Sequence, residues 1–127
     1  MKNQDRVATP EFAMRVRSLA SQLVAELERA PAGQVSRYYP DLARRLCEMA
    51  DSDRDRLLEA YCNRDWWGGA GSLADLVVPD QDLQRRIHLL LVAIVDAFSG
   101  ERCRCPRAER WAEVFRHRLR AGRGRET

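Results

Sequence analysis

The sequence predicts an all-α protein, a compact bundle of five to six helices around a central apolar helix near residues 81–99. Three observations lead there. Apolar residues recur at three- and four-residue spacing in one segment after another, and no period-two alternation is sustained anywhere. Helix-start residues precede those segments: Thr9-Pro10-Glu11, Pro40-Asp41, Asp51-Ser52-Asp53 and Pro79-Asp80. Finally, Leu83–Phe98 is apolar on nearly all sides beyond His88, with Asp96 the clear exception, which suits a helix at the centre of a bundle.

The first helix starts where Thr9 caps free amides, Pro10 fits the first turn and Glu11 complements the dipole. Phe12, Val16, Leu19, Leu23, Leu27 and Ala30 form its apolar stripe, and "APAG" ends it. A second helix begins around Tyr39–Asp41, because Pro40 is tolerated only in a first turn. Leu42, Leu46, Met49 and Ala50 mark its buried side. The "DSD" at Asp51–Asp53 caps a third helix with Leu57, Leu58, Tyr61 and Cys62 on its inner face. Ser72, with Asp75 three residues on, resembles a capping box opening a short helix. "LADLVV" also reads as a lone strand, but a strand without a partner is not stable. After the apolar helix, "SGERCRCP" is a linker, and Ala108, Trp111, Phe115 and Leu119 define the last amphipathic helix. The domain organisation is then a flexible N-terminus over 1–9, one helical domain over 10–120, and a flexible basic tail over 121–127.

Charge is uneven along the chain. Of 22 basic residues only Lys2 is lysine, and residues 100–127 hold nine arginines against four acids, so the basic end is the C-terminal quarter. The longest apolar run, Leu89–Val95, is far short of the roughly 18–20 residues needed to cross a bilayer. No membrane partner is expected, and the polar N-terminus has no export signal, so the expected location is cytoplasmic. The same reasoning argues against a disulfide framework for the four cysteines. Cys47 and Cys62 read as small core hydrophobes. Cys103 and Cys105 form a C-x-C pair that is poorly spaced for zinc, while Arg102, Arg104 and Arg107 beside it would favour thiolate. No metal site and no cofactor is expected.

Catalytic sets are hard to assemble. His88 reads as a satisfied buried residue, His117 lies in an arginine-rich surface, and "DSDRDR" reads as a cap with solvated ion pairs. With no nucleophile, base and orienting group in view, an enzyme is not expected. The unusual stretch is "NRDWWGGAGSLADLVV", Asn63–Val78. Its Gly68–Ser72 loop has the layout of an anion-binding turn but lacks the Gly-Lys-Ser/Thr ending of a P-loop. The favoured reading is a tight reversal, with the glycines in conformations that other residues cannot take. Adjacent helical positions point about 100° apart, so one of Trp66 and Trp67 is expected to stay partly exposed as a binding hot spot.

The segment "GGAGSLADLVV", Gly68–Val78, resembles the motif of a group of small bacterial helical proteins. Their pattern runs Gly-Gly-Met-Gly-Ser-Leu/Phe-Asn-Asp-Leu-Val, followed by a helix. Gly68, Gly69, Gly71, Ser72, Leu73, Asp75, Leu76 and Val77 match, while Ala70 and Ala74 replace the methionine and asparagine. "RWAEVF" at Arg110–Phe115 is similar to a Trp-Ala helix of the group, but follows the glycine motif instead of preceding it. The resemblance implies a cytosolic protein without assigned catalysis, in some members near toxin–immunity genes, where inhibition works by occlusion.

The expected function is therefore a protein-binding module of immunity-inhibitor type. Its partner site comprises Arg64, Asp65, Trp66, Trp67, Gly68 and Gly69, with Arg64 and Asp65 steering association. The alternative is a nucleic-acid-associated regulator contacting phosphates through Arg107, Arg110, Arg116, Arg118 and Arg120. A homodimer stays open.

Overall fold

The computed structural model describes residues 9–126, with side chains over 9–121, and every regular element among them is helical. The order is α1 (Pro10–Glu28), α2 (Tyr38–Glu48), a 3₁₀ turn (Met49–Asp51), α3 (Arg54–Tyr61), α4 (Arg64–Trp67), α5 (Gln81–Gly100) and α6 (Pro106–Glu126). Local chemistry sets most of the starts. Thr9 Oγ1 accepts from the Phe12 amide at 3.2 Å, Asp53 from Arg56 at 2.9 Å, and Asp80 from Asp82 and Leu83 at 3.0 and 3.1 Å. Asn63 caps the single turn of α4 through the Trp66 amide.

Helix α1 packs on α2 and on α5, and α5 packs on α6. Phe12, Val16, Leu23 and Leu27 of α1 meet Ala43 and Leu46 of α2 and Ile87, Leu91, Ile94 and Phe98 of α5 in one continuous core. Phe98 is its aromatic hub: Tyr61 stacks on it at 3.8 Å and Phe12 meets it edge-on at 5.2 Å. Apolar though it is, α5 is not enclosed on every side, because Leu89 remains 47% exposed.

Three expectations need correction. No helix follows Ser72. Its Oγ does accept from the Asp75 amide at 3.3 Å, but Leu73 N and Ala74 N donate back to the carbonyls of Asp65 and Trp66, both at 2.8 Å. Amides that would open a helix are thus spent tying the loop to α4, and no regular element forms before Asp80 caps α5. At the other end, α6 continues past the boundary expected at Arg120, to Glu126. The N-terminal stretch expected to be flexible lies, Thr9 apart, outside the described residues. The third correction concerns cysteine. Cys62 and Cys105 form a disulfide with Cα atoms 5.7 Å apart, joining the end of α3 to the start of α6. Cys62 is therefore no free core hydrophobe, and Cys105 is not one half of a free C-x-C pair.

Candidate partner-binding cleft

The glycine stretch is shaped from both sides. Gly69 and Gly71 sit at φ +98° and +84°, where only glycine is unstrained. A Cβ on Gly68 would lie 2.6 Å from the Arg64 carbonyl oxygen, so the end of α4 closes only around glycine. From α2, the Tyr39 hydroxyl donates to the Gly71 carbonyl at 2.9 Å. From α6, Trp111 Nε1 donates to the Trp67 carbonyl at 3.1 Å. The loop is clamped between two helices distant in sequence.

Both tryptophans face inward. Trp66 is 0% and Trp67 2% exposed, which overturns the expectation of one exposed ring. The two side chains still leave α4 in different directions, but α4 is one turn long and the reversed loop packs Leu73 and Ala74 into the core beside it, so both rings are covered. Trp67 Nε1 donates to the Tyr61 carbonyl at 2.8 Å, whereas Trp66 Nε1 is buried without a partner.

The six residues expected to form one partner site are divided. Arg64, Trp67, Gly68 and Gly69 line a cleft of about 530 Å³ whose other wall is α6, through Arg107, Arg110, Trp111 and Val114. Asp65 and Trp66 line a different hollow with Arg45, Met49 and Asn63. Asp65 is moreover engaged by the Tyr38 hydroxyl, a hydrogen bond that pushes the phenol's pKa up. The cleft thus joins four of the six residues of one expected site to two arginines of the other. No periodicity signals that meeting, since Arg64 and Arg107 lie far apart in the chain and the disulfide and the Trp111 bond bring their elements together.

Electrostatically the cleft is one-signed. Arg64, Arg107 and Arg110 line it, no acidic residue does, and none of the three has a carboxylate partner among the described residues. The remaining arginines of the expected nucleic-acid set do not join them. Arg116 pairs with Asp96 of α5, and Arg118 borders a second cavity beyond Trp111. At about 100° per residue, Arg116 and Arg120 fall on the far side of α6 from Arg107.

The remaining candidates resolve structurally. Asp96 is both solvent-exposed and paired. His88 is buried, stacked on Phe115 at 4.1 Å, and burial, with Arg118 adding to it, lowers its pKa to about 4. Cys103 is buried and free, and burial pushes its thiol up against the opposing pull of Arg54. The flanking arginines expected to favour thiolate are placed elsewhere: Arg104 is bound to Glu109 and Arg107 faces the cleft. Among the described residues no three potential ligands converge on a metal position, and no helix is long and apolar enough to cross a membrane. Sequence reading missed Gln84, whose amide holds the Leu76–Val78 backbone and His88; its i, i+4 spacing to His88 was the available signal.

Compared with protein-family profiles, curated proteins and solved structures, the chain matches none.

Proposed function

We propose that this protein is a binding module whose Arg64–Arg107–Arg110 cleft receives an acidic surface of another protein. The observation that carries the reading is the convergence of three guanidiniums without counter-charge on a rigid bed of Gly68 and Gly69. Arginine forks bind carboxylates bidentately, and a cleft of one sign steers an oppositely charged partner. In its finer form the reading is an immunity-type inhibitor, related to the group that Gly68–Val78 resembles, which occludes its target without catalysis. The rigidity of the clamped loop supports that form, because a preorganised surface loses little entropy on docking.

The test is affinity capture from nuclease-treated extract, comparing the wild-type chain with Arg107→Glu/Arg110→Glu, followed by titration of the purified candidate. A protein retained by the first, lost by the second and released by salt is the expected outcome. Equal retention by both would sink the reading. A nucleic-acid contact is favoured by one observation, that Arg107, Arg110 and Arg118 lie along one face of α6 without a carboxylate partner among the described residues. It requires affinity for oligonucleotides with a steep salt dependence that survives removal of every protein partner.

A further inference from the structure

Beyond Trp111 lies a second hollow of about 430 Å³, between the 74–77 segment, the first turns of α5 and the α6 face carrying Arg118 and Leu119. Trp111 is the wall common to this cavity and the basic cleft. Its ring is fixed by the bond to Trp67 and by stacking on Phe115 at 5.5 Å.

The two hollows differ in chemistry. The cleft is lined by three arginines and no acid; the cavity has Arg85 and Arg118 against Asp75 and Asp82, a balanced rim. At its floor, Gln84 and His88 are occupied with each other and with the loop backbone. Gln84 Oε1 accepts from the Val78 amide at 2.7 Å, while its NH₂ donates to the Leu76 carbonyl at 3.2 Å and to His88 Nε2 at 2.9 Å. His88 must accept that bond, so its ring is neutral with the proton on Nδ1. Between the charged rim and that floor the lining is apolar: Leu76, Leu119, the Trp111 ring, and Val77, which is 80% exposed.

We infer that the cleft and the cavity form one track along α6 for an extended partner segment, with acidic side chains among the arginines and an apolar side chain between Val77 and Leu119. The inference rests on the proposed binding reading and specifies its partner. Its spacing follows from geometry. Arg110 lines the cleft and Arg118 the cavity; they share one face of α6 and are about 12 Å apart along the axis at 1.5 Å per residue. An extended chain rising about 3.3 Å per residue covers that in about four residues. The recognised segment is an acidic residue with a large apolar residue four positions away, a separation at which both side chains lie on the same side of an extended chain.

The test uses fluorescein-labelled ten-residue peptides, read by anisotropy at low salt. The probe carries Glu-Glu and a leucine four positions on, in Ser/Gly filler, made in both chain directions. Controls replace the leucine by serine or move it next to the glutamates. Expected is binding of the spaced peptide in one direction, weakened about tenfold in each control, which is what 1.4 kcal/mol of lost leucine burial produces. Val77→Asp should remove the leucine dependence without touching the fold, and Arg110→Glu should remove binding altogether. Trp111 supplies a second readout, since its emission should shift on binding while Trp66 and Trp67 are buried away from solvent. Binding that needs Arg110 but ignores the leucine and Val77 overturns the track and leaves the acidic-partner reading standing. Failure of every peptide overturns the track; if an oligothymidine probe binds in their place, the acidic-partner reading falls as well.

Discussion

Two long-range contact regions of this molecule handle arginine in opposite ways. Where α1 meets α2 and α5, guanidiniums are neutralised by carboxylates, mostly across the helices. Arg44 contacts Glu28 at 2.5 Å and Asp41 at 3.0 Å, Arg86 contacts Glu26 at 2.7 Å, and Arg17 pairs with Asp51. Where α4 and its loop meet α6, Arg64, Arg107 and Arg110 face one another across a cleft with no carboxylate between them. The first arrangement stabilises a seam weakly, because exposed pairs gain little over hydration. The second costs the free protein repulsion and gains only when an anion arrives. Under the proposed function, the first side serves the fold and the second serves binding.

The comparison breaks most directly through the core beneath the cleft. Trp67→Ala should destabilise by about 3–5 kcal/mol, the usual cost of emptying a buried aromatic site. Gentler variants sharpen it. Trp67→Phe leaves the Tyr61 carbonyl without its 2.8 Å bond and should cost about 1–3 kcal/mol beyond lost packing. Trp66→Phe removes an indole N–H that has no partner, so its loss should be distinctly smaller. Denaturant midpoints of the pair decide this, and equal losses would mean that the Trp67 bond is immaterial.

Next in size is the disulfide. Cys62 and Cys105 are 43 residues apart in sequence, and opening such a loop should cost about 2–4 kcal/mol. Unfolding with and without a dithiol reductant measures it, with Cys62→Ser/Cys105→Ser as the insensitive control and Cys47→Ala as the variant that keeps the response. The cleft's walls should loosen more than the α1–α2 seam, seen as faster amide exchange at Gly68–Ser72 than in α1. Uniform acceleration across both regions would show that the disulfide holds the whole fold and not the cleft alone.

The seam was legible in the sequence and the cleft was not. Period and caps fixed α1, α2, α3 and α5 because each helix's inner face is a local property: Thr9, Asp53 and Asp80 act on amides two or three residues away. The half of the site around Arg64 and Gly68 was found from its unusual composition. Its pairing with α6 depends on one disulfide and one indole bond between residues over forty positions apart, for which a single sequence carries no signal. The exposed-tryptophan expectation failed for a related reason. It treated Trp66 and Trp67 as positions on a lengthening helix, whereas the glycines end α4 after one turn and the loop packs Leu73 and Ala74 into the core beside it.

A smaller effect separates the regions by pH. His88, under the α6 side, has its pKa lowered from 6.5 to about 4, chiefly by burial. The unfolded chain therefore takes up this proton first as pH falls, so the contribution is intact above about pH 6.5 and is lost on descending to about pH 4. Thermal melts across that window should show a slope that His88→Gln flattens. An unchanged slope would place the acid sensitivity with the carboxylates of the α1–α2 seam instead.

The smallest stability change expected is also the most discriminating. Arg44→Ala removes a guanidinium that two carboxylates hold, so it should lower Tm slightly, and added salt should shrink the difference. Arg110→Glu replaces one of three unneutralised charges with its opposite, within reach of Arg64 and Arg107. Its repulsion is relieved, so Tm should hold or rise, while binding to an acidic partner is lost. A binding site is where a protein keeps an arrangement that its own stability does not favour, and a charge reversal that stabilises while disabling is the signature of one. A fall in Tm for Arg110→Glu like that of Arg44→Ala would show that the cleft arginines serve the fold, and the contrast between the two regions would collapse.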